Sequence, residues 1–269
     1  MKRNILLVGI ENYKDPKFDL SGVNNDIDKI QELFSDVYDN VNITILQNAD
    51  ADAVSIKKNF TDLLDKTQMG EQAIFYYSGH GTRIPPRHTI DKNEEDQRDD
   101  AILAYLSHKQ DIVIDNWFHE SIYSTLKRGA SCICLFDSCH SGTMLKSFDL
   151  WGQGDDSVEV PKSVSYDSLT KGLSNFSGNI NTSNSATTSN VPCFIQISAA
   201  HEEELAVVKK IDGERRSVFN WALCESLKGL PDGQLWSDIF KKIEVLVKDK
   251  TFMHSPVFEA QGGGEFLRF

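Results

Sequence analysis

Short apolar runs alternate with amphipathic stretches along this chain. Residues 5–10 form a continuous apolar run, which is typical of a strand buried on both faces of a sheet. Residues 73–78, 132–136 and 194–198 have the same character, whereas residues 42–47 alternate between polar and apolar side chains. The pattern therefore predicts short strands, most of them covered on both faces.

The segments between these strands carry apolar side chains at helical spacing, as in residues 20–34. Further helices are predicted over residues 52–66, with Asp50 or Asp52 as the N-cap, and over residues 116–128, 218–227 and 236–248. Residues 101–106 and 112–114 add two strand-like stretches. Strands that alternate with helices predict an α/β fold with a mainly parallel sheet.

Composition adds limits on partners and on the compartment. The 269 residues carry a net charge of −12, which argues against nucleic acid or an anionic membrane as the main partner and suits a basic substrate. The five cysteines form no dense framework, so we expect a reduced, cytoplasmic protein. No apolar run is long enough for a membrane span, and residues 5–10 are too few for a signal sequence.

Two polar signatures follow two of the predicted buried strands, YYSGHG at residues 76–81 and FDSCHSG at residues 136–142. They place His80 and Cys139 at the sheet edge where open parallel sheets bind ligands. A cysteine beside a histidine forms a nucleophile–base pair. Taken singly, Cys139 is more simply explained as an inert buried thiol and His80 as a loop residue, and it is their joint placement that favours the pair. His140 is a second candidate base, but it adjoins Cys139 in sequence and we expect it to point elsewhere.

The motifs SGHGT and DSCHSGT resemble the catalytic motifs of metacaspases, which belong to the caspase-like cysteine peptidases. Similar segments elsewhere are ILLVGIENY, LSGVNNDIDKI, EEDQRDDAIL, FIQISAAHEEELA and SVFNWALCESL. The resemblance implies a caspase-like α/β fold, with a mostly parallel central sheet flanked by helices. It also implies one domain over residues 1–269, with a larger-subunit region at 1–150, a flexible linker at 151–190 and a smaller-subunit region at 191–269. The linker includes a tract of Ser, Thr, Asn and Gly at residues 175–190.

The resemblance also assigns roles in catalysis. Cys139 corresponds to the nucleophile and His80 to the general acid and base. The backbone amides of Gly81 and Cys139 correspond to an oxyanion hole. The main alternative is a caspase-fold scaffold or pseudoenzyme that binds partners, and the intact Cys139 and His80 count against it.

A substrate pocket is implied by three further residues. Asp26 lies where metacaspases have a pocket acid, Asp137 precedes the nucleophile Cys139 within its motif, and Ser78 matches a pocket serine. Two carboxylates in one pocket select Arg or Lys before the scissile bond. The alternatives are a helix-surface charge for Asp26 and a turn cap for Asp137. Legumain-like or gingipain-like relatives share the Cys–His arrangement, but two acids favour basic side chains over Asn.

An acidic stretch over residues 91–100 suggests calcium, because carboxylates are hard oxygen ligands. The family's calcium site corresponds to Asp99 and to the pair Asp115 and Asn116. Asn116 stands where a second Asp is usual, and Lys146 stands where another acidic ligand is usual. The chemistry itself needs no cofactor, and Ca²⁺ is expected at most as an activator.

Self-cleavage is expected in the linker, where Lys162 and Lys171 are the basic residues between positions 151 and 190. Lys171 is favoured because Gly172 follows it and because residues 168–172 resemble the self-cleavage site of type I metacaspases. We expect protein or peptide substrates and a monomer. Cys132 and Cys134 have the spacing of a metal pair, but their place within a strand favours buried packing.

Overall fold

The computed structural model describes residues 1–84, 99–139, 158–170, 191–201, 203–230 and 233–269. The strands are β1 (Arg3–Gly9), β2 (Val41–Gln47), β3 (Gln72–Ser78), β4 (Gly81–Ile84), β5 (Asp99–Leu103), β6 (Ile112–Ile114), β7 (Ser131–Asp137), β8 (Val160–Pro161), β9 (Cys193–Ser198), β10 (Val207–Ile211), β11 (Glu214–Ser217) and β12 (Val257–Gln261). The α-helices are α1 (Val23–Val37), α2 (Ala53–Lys66), α3 (Asp115–Thr125), α4 (Val218–Leu227) and α5 (Trp236–Lys250). Across these described ranges, no helix combines the length and the apolar character that crossing a membrane requires.

The main sheet has six strands in the order β12-β9-β7-β3-β1-β2. Every neighbouring pair is parallel except β9 and β12, which run antiparallel. Two three-stranded sheets, β11-β10-β8 and β4-β5-β6, lie outside it. The predicted α/β fold with a mostly parallel sheet is therefore confirmed.

The central strands are buried on both faces, as their apolar runs predict. Ile74 and Tyr76 of β3 pack in a core with α1, α4 and α5, whereas Phe75 and Tyr77 pack in a second core with α2 and α3. Adjacent residues therefore serve opposite layers, which follows from the two-residue period of a strand. The β3 terminus is fixed from both sides of the sheet.

The start of α1 is held by contacts from distant parts of the chain. The Glu11 carboxylate accepts the backbone N–H groups of Gly22 at 3.1 Å and Asn24 at 2.9 Å, which supplies the cap that Gly22 lacks. Asn25 Nδ2 donates to the Arg215 carbonyl at 2.8 Å. These contacts set the position of Asp26, one residue further into the helix.

Gly22 allows this close approach. Its φ is +106°, and a Cβ there would lie 2.8 Å from the Arg215 oxygen, which is backbone and gives way poorly. Gly70 also has a positive φ, of +80°, but a Cβ there would meet no atom within 4 Å. An alanine at Gly70 would therefore cause backbone strain without a steric clash, which makes Gly70 a control for Gly22.

We expect Gly22→Ala to lower the free energy of unfolding by about 1 kcal/mol more than Gly70→Ala does, because only Gly22 also meets a rigid neighbour. Urea unfolding of both variants measures the difference. Equal losses would show that the contact with Arg215 does not require glycine.

Candidate active site

The ends of β3 and β7 lie side by side and carry the two signatures. Ser78 and Asp137 are the last residues of these strands and are paired in register. His80 and Cys139 each follow two residues later. The parallel pairing therefore brings both signatures to one edge of the sheet.

Tyrosine hydroxyls hold the backbone of His80. Tyr13 Oη accepts the His80 N–H at 2.8 Å, and Tyr77 Oη donates to the His80 carbonyl at 2.7 Å. A Cβ on Gly79 would lie 2.5 Å from Tyr77 Oη and 2.9 Å from Tyr13 Oη, so glycine is needed between them. The imidazole Nε2 lies 3.0 Å from the Phe18 carbonyl, which assigns the proton to Nε2 and leaves Nδ1 as an acceptor.

The Cys139 thiol is fully buried and directed at a carbonyl. Its Sγ donates to the Ala206 oxygen at 3.7 Å. His80 Nδ1 has no hydrogen-bond partner among the described residues, so the thiol and the imidazole are not joined. Burial raises the pKa of Cys139 to about 12 and lowers the pKa of His80 to about 4. Both groups are therefore neutral at pH 7.

Two buried carboxylates form a pocket beside this pair, and each oxygen accepts a hydrogen bond. Asp26 Oδ1 accepts from the Ser217 N–H and Oδ2 from Ser78 Oγ, both at 2.9 Å. Asp137 Oδ1 accepts from Ser217 Oγ at 2.7 Å and Oδ2 from Tyr76 Oη at 2.9 Å. The structure thus brings Asp26, Asp137 and Ser78 together in one acidic pocket.

Tyr76, Ser217 and Asn220 support this pocket, and the sequence analysis gave them no role although they lie within the quoted motifs. Asn220 Nδ2 lies 2.9 Å from Tyr76 Oη and 3.1 Å from the Asp26 carbonyl. Ser217 is also the N-cap of α4, since its Oγ accepts the Asn220 N–H. The segment SVFNWALCESL contains both Ser217 and Asn220, and a polar pair at the start of an otherwise apolar helix was the available signal.

The pocket is filled by Lys162 from the same chain. Its Nζ lies 2.7 Å from Ser78 Oγ, 2.9 Å from Asp137 Oδ1 and 3.6 Å from Asp26 Oδ2. The lysine and both carboxylates have no solvent-exposed surface. Burial raises the pKa of Asp26, and the Lys162 ammonium opposes that rise.

The backbone of Lys162 occupies the other half of the site. Its carbonyl oxygen accepts the Gly81 N–H at 2.9 Å and the Cys139 N–H at 3.2 Å, and its own N–H donates to the Ala206 carbonyl at 2.8 Å. The chain continues past it, with the Val164 N–H donating to the Gly81 carbonyl at 2.9 Å. This segment therefore crosses the end of the sheet with its Lys162 carbonyl on the two amides assigned to the oxyanion hole. Lys171, the favoured cleavage position, lies outside the described residues.

The residues suggested for calcium are partly assembled. Asn116 Nδ2 lies 3.4 Å from Asp99 Oδ1, and the Asn116 N–H donates to Asp115 Oδ1 at 2.7 Å. Within the ranges that the structure describes, no three His, Cys, Asp or Glu side chains cluster as a metal site would require. Lys146 and His140 fall outside those ranges, as does most of the acidic stretch. Calcium binding therefore stays a prediction.

Cys132 and Cys134 lie within β7 on the face that packs against α2 and α3. Their Sγ atoms are 3.8 Å apart and both are buried. This is the packed arrangement that their place in a strand favours.

The family model for the metacaspase peptidase C14 domain matches residues 2–148, more than half of the chain. The chain belongs to the metacaspase family. Metacaspase-8 of Arabidopsis thaliana is 33% identical over 153 residues, which cover 54% of this chain and 39% of that protein. Metacaspase-1 of Candida albicans is 31% identical over 54% of this chain and 34% of its own length. The match therefore spans little more than a third of these relatives.

A metacaspase-1 from Meyerozyma guilliermondii aligns over 93% of this chain and 67% of its own length at 23% identity. The crystal structure of a Geobacter sulfurreducens protein superposes with a TM-score of 0.67 at 18% identity, covering 97% of this chain and 93% of that one. Likeness at that identity concerns the fold, and together with the family match it shows the caspase-like architecture.

The low pKa of His80 makes the stability of this metacaspase fall in acid. The folded protein protonates His80 at about pH 4, whereas the unfolded chain does so near pH 6.5. Between these values the unfolded state binds more protons, so the unfolding free energy falls as the pH falls. We expect His80→Gln to remove up to about 1.4 kcal/mol per pH unit from that slope.

Urea unfolding at several pH values in the Cys139→Ala background measures this slope. His254, whose pKa burial also lowers, keeps its own contribution in both proteins. His201→Gln at an exposed position is the matched control. Identical slopes for His80→Gln and His201→Gln would contradict the buried, neutral state of His80.

Proposed function

We propose that this metacaspase is a cysteine endopeptidase that cleaves after Lys or Arg, with Cys139 as nucleophile and His80 as general acid and base. One observation carries the proposal: Lys162 presents its ammonium to two carboxylates and its carbonyl to two amides. These are the contacts that a substrate residue before the scissile bond would need. We therefore treat the segment around Lys162 as a guide to how a substrate would bind.

The electrostatics of the pocket support the preference for a cation. Asp26 and Asp137 are fully buried, and one ammonium offsets part of their charge. An apolar or acidic side chain would leave both carboxylates without a cation in a low-dielectric site, which costs several kcal/mol. The pocket would therefore select a basic side chain mainly because binding any other side chain carries this free-energy cost.

The proposed reaction follows from the same contacts. The Cys139 thiol gives its proton to His80 Nδ1, and Sγ attacks the carbonyl carbon of the basic residue. The amides of Gly81 and Cys139 stabilise the oxyanion of the tetrahedral intermediate. The C–N bond then breaks, and His80 returns the proton to the leaving amine. Water, activated by His80, hydrolyses the thioester to release a carboxylate and regenerate the thiol.

We infer that Lys162 is the position of self-cleavage. The Lys162 carbonyl oxygen accepts the N–H groups of Gly81 and Cys139, which supports cleavage of the peptide bond between Lys162 and Ser163. Lys171 lies outside the described residues. Cleavage would be slow in the resting site, because the Cys139 thiol is protonated and a protonated thiol is a weak nucleophile. The segment would thus act as an inhibitor until it is cut or withdrawn. Ca²⁺ remains a proposed activator of that step.

We expect wild-type protein to yield fragments 1–162 and 163–269, because Lys162 occupies the pocket. Cys139→Ala and His80→Ala should stay intact, since loss of a general base costs roughly 10²–10⁴ in rate. Intact-mass spectrometry after incubation with chelator or with millimolar calcium measures the products.

Lys171→Ala is the matched control and should still be cut after Lys162, whereas Lys162→Ala should not be cut at that position. Cleavage at Lys171 alone would contradict the assignment of Lys162. A wild-type chain that stays whole in both conditions would contradict self-processing.

We expect Asp26→Asn to lower kcat/KM on peptides with Lys or Arg before the scissile bond by at least tenfold. The change removes one carboxylate charge while keeping a group of similar shape, and hydrogen bonds to charged groups contribute about 1.5–3 kcal/mol. Asp28→Asn, at an exposed position of the same helix, is the control and should have no effect. Equal rates for the two variants would remove Asp26 from the pocket.

A further inference from the structure

The segment that enters the cleft makes a second charged contact, three residues before Lys162. Glu159 pairs with Lys209 on the neighbouring strand. We propose that Lys209 and Thr251 form a subsite for an acidic side chain at the fourth residue before the scissile bond, counting the basic residue as the first. This rests on the proposed function, because it treats the resident segment as a substrate.

Strand pairing fixes where this side chain falls. Pro161 lies opposite Val207 and Val160 opposite Val208 in the antiparallel pair of β8 and β10. Extending that register by one residue places position 159 opposite Lys209. Opposite residues in an antiparallel pair project to the same face, so their side chains meet. Any peptide bound in this register would present its fourth residue to Lys209.

The subsite is built from contacts that do not depend on Glu159 alone. Lys209 Nζ donates to the Lys250 carbonyl at 2.6 Å, which holds the ammonium in place. From there it reaches Glu159 Oε1 at 2.8 Å. Thr251, which is 4% exposed, directs its Oγ1 to the second oxygen of Glu159 at 3.4 Å. The Glu159 carboxylate therefore accepts hydrogen bonds from a charged donor, Lys209, and from a neutral donor, Thr251.

The backbone is anchored beyond this point as well. Arg215 Nη2 donates to the Val158 carbonyl at 3.4 Å. The bound stretch thus runs from position 158 to Val164, with main-chain contacts on both sides of the acidic residue. The cleft then selects a charge pattern in which an acidic residue precedes a basic residue by three positions. Uniformly basic peptides would be disfavoured, since Lys209 repels a second cation.

Two peptides test the subsite, Glu-Val-Pro-Lys and Gln-Val-Pro-Lys, each with a fluorogenic amide on the lysine carboxyl. We expect wild-type enzyme to prefer the Glu peptide by about three- to tenfold in kcat/KM, the range for a partly exposed, charge-assisted pair. Lys209→Met should bring the ratio of Glu to Gln rates to about one. Lys241→Met, which removes an exposed lysine paired within α5, should keep the wild-type ratio.

Binding separates failure of the subsite from failure of the proposed function. Fluorescently labelled forms of both peptides, ending in free lysine, are titrated against the Cys139→Ala, Lys162→Ala double variant by anisotropy. Tighter binding of the Glu peptide without any peptide cleavage by wild type would keep the subsite and overturn the proposed function. Cleavage of both peptides at equal rates would overturn the subsite alone. Equal binding, or no binding, together with no cleavage would overturn both.

Discussion

The ammonium of Lys162 between Asp26 and Asp137 is the contact on which the arrangement of the candidate site depends. Two carboxylates without solvent contact are costly unless a cation and hydrogen-bond donors meet them. Here the donors are Ser78 and Tyr76 of β3 and Ser217 at the end of β11, and the cation is Lys162, which directly follows β8. One charged cluster thus joins parts of the chain that are far apart in sequence, at residues 26, 78, 137, 162 and 217.

This cluster also explains how the pocket and the nucleophile are coupled. Lys162 enters the pocket while its carbonyl accepts N–H groups from Gly81 and Cys139. Displacing the lysine would therefore remove an occupant from both sites at once and would leave the two acids to recruit water or another cation. In the proposed function, the preference for a basic residue and the latency of the resting site would follow from the same electrostatic constraint.

Much of the fold follows from sequence patterns, because buried parallel strands have strong signals. β1, β3 and β7 contain continuous apolar runs, and β3 and β7 end in Ser78 and Asp137. The small strands β5 and β6 were also predicted, but β8 was not, for physical reasons. β8 has two residues, and its pairing depends on a partner about forty-five positions away. The β10–β11 hairpin did have a signal in Asp212 and Gly213, which turn with positive φ as a tight hairpin requires.

The sequence predicted the residues of the pocket but not its occupant. Asp26 lies on the same helical face as Val23, Ile27 and Ile30, so its burial follows from the periodicity of α1. The insertion of Lys162 depends instead on three elements that meet only in the folded chain. Flexibility of the linker, judged from composition, favoured Lys171, whereas charge complementarity favours Lys162. Cleavage at Lys171 stays a prediction, because that residue lies outside the described ranges.

In the proposed mechanism the resting contacts are nearly those of a bound substrate, so the restraint on reaction must lie with the thiol proton. The Ala206 carbonyl accepts both the Lys162 N–H and the Cys139 thiol. The carbonyl that accepts the Lys162 N–H therefore also accepts the thiol, in a hydrogen bond that does not involve His80. Rotation about the Cα–Cβ bond of Cys139 is a smaller change than rearrangement of the surrounding loops. In this mechanism the resting and the reacting site would thus have the same arrangement of residues. They would differ in whether the proton lies on the Cys139 thiol or on His80 Nδ1.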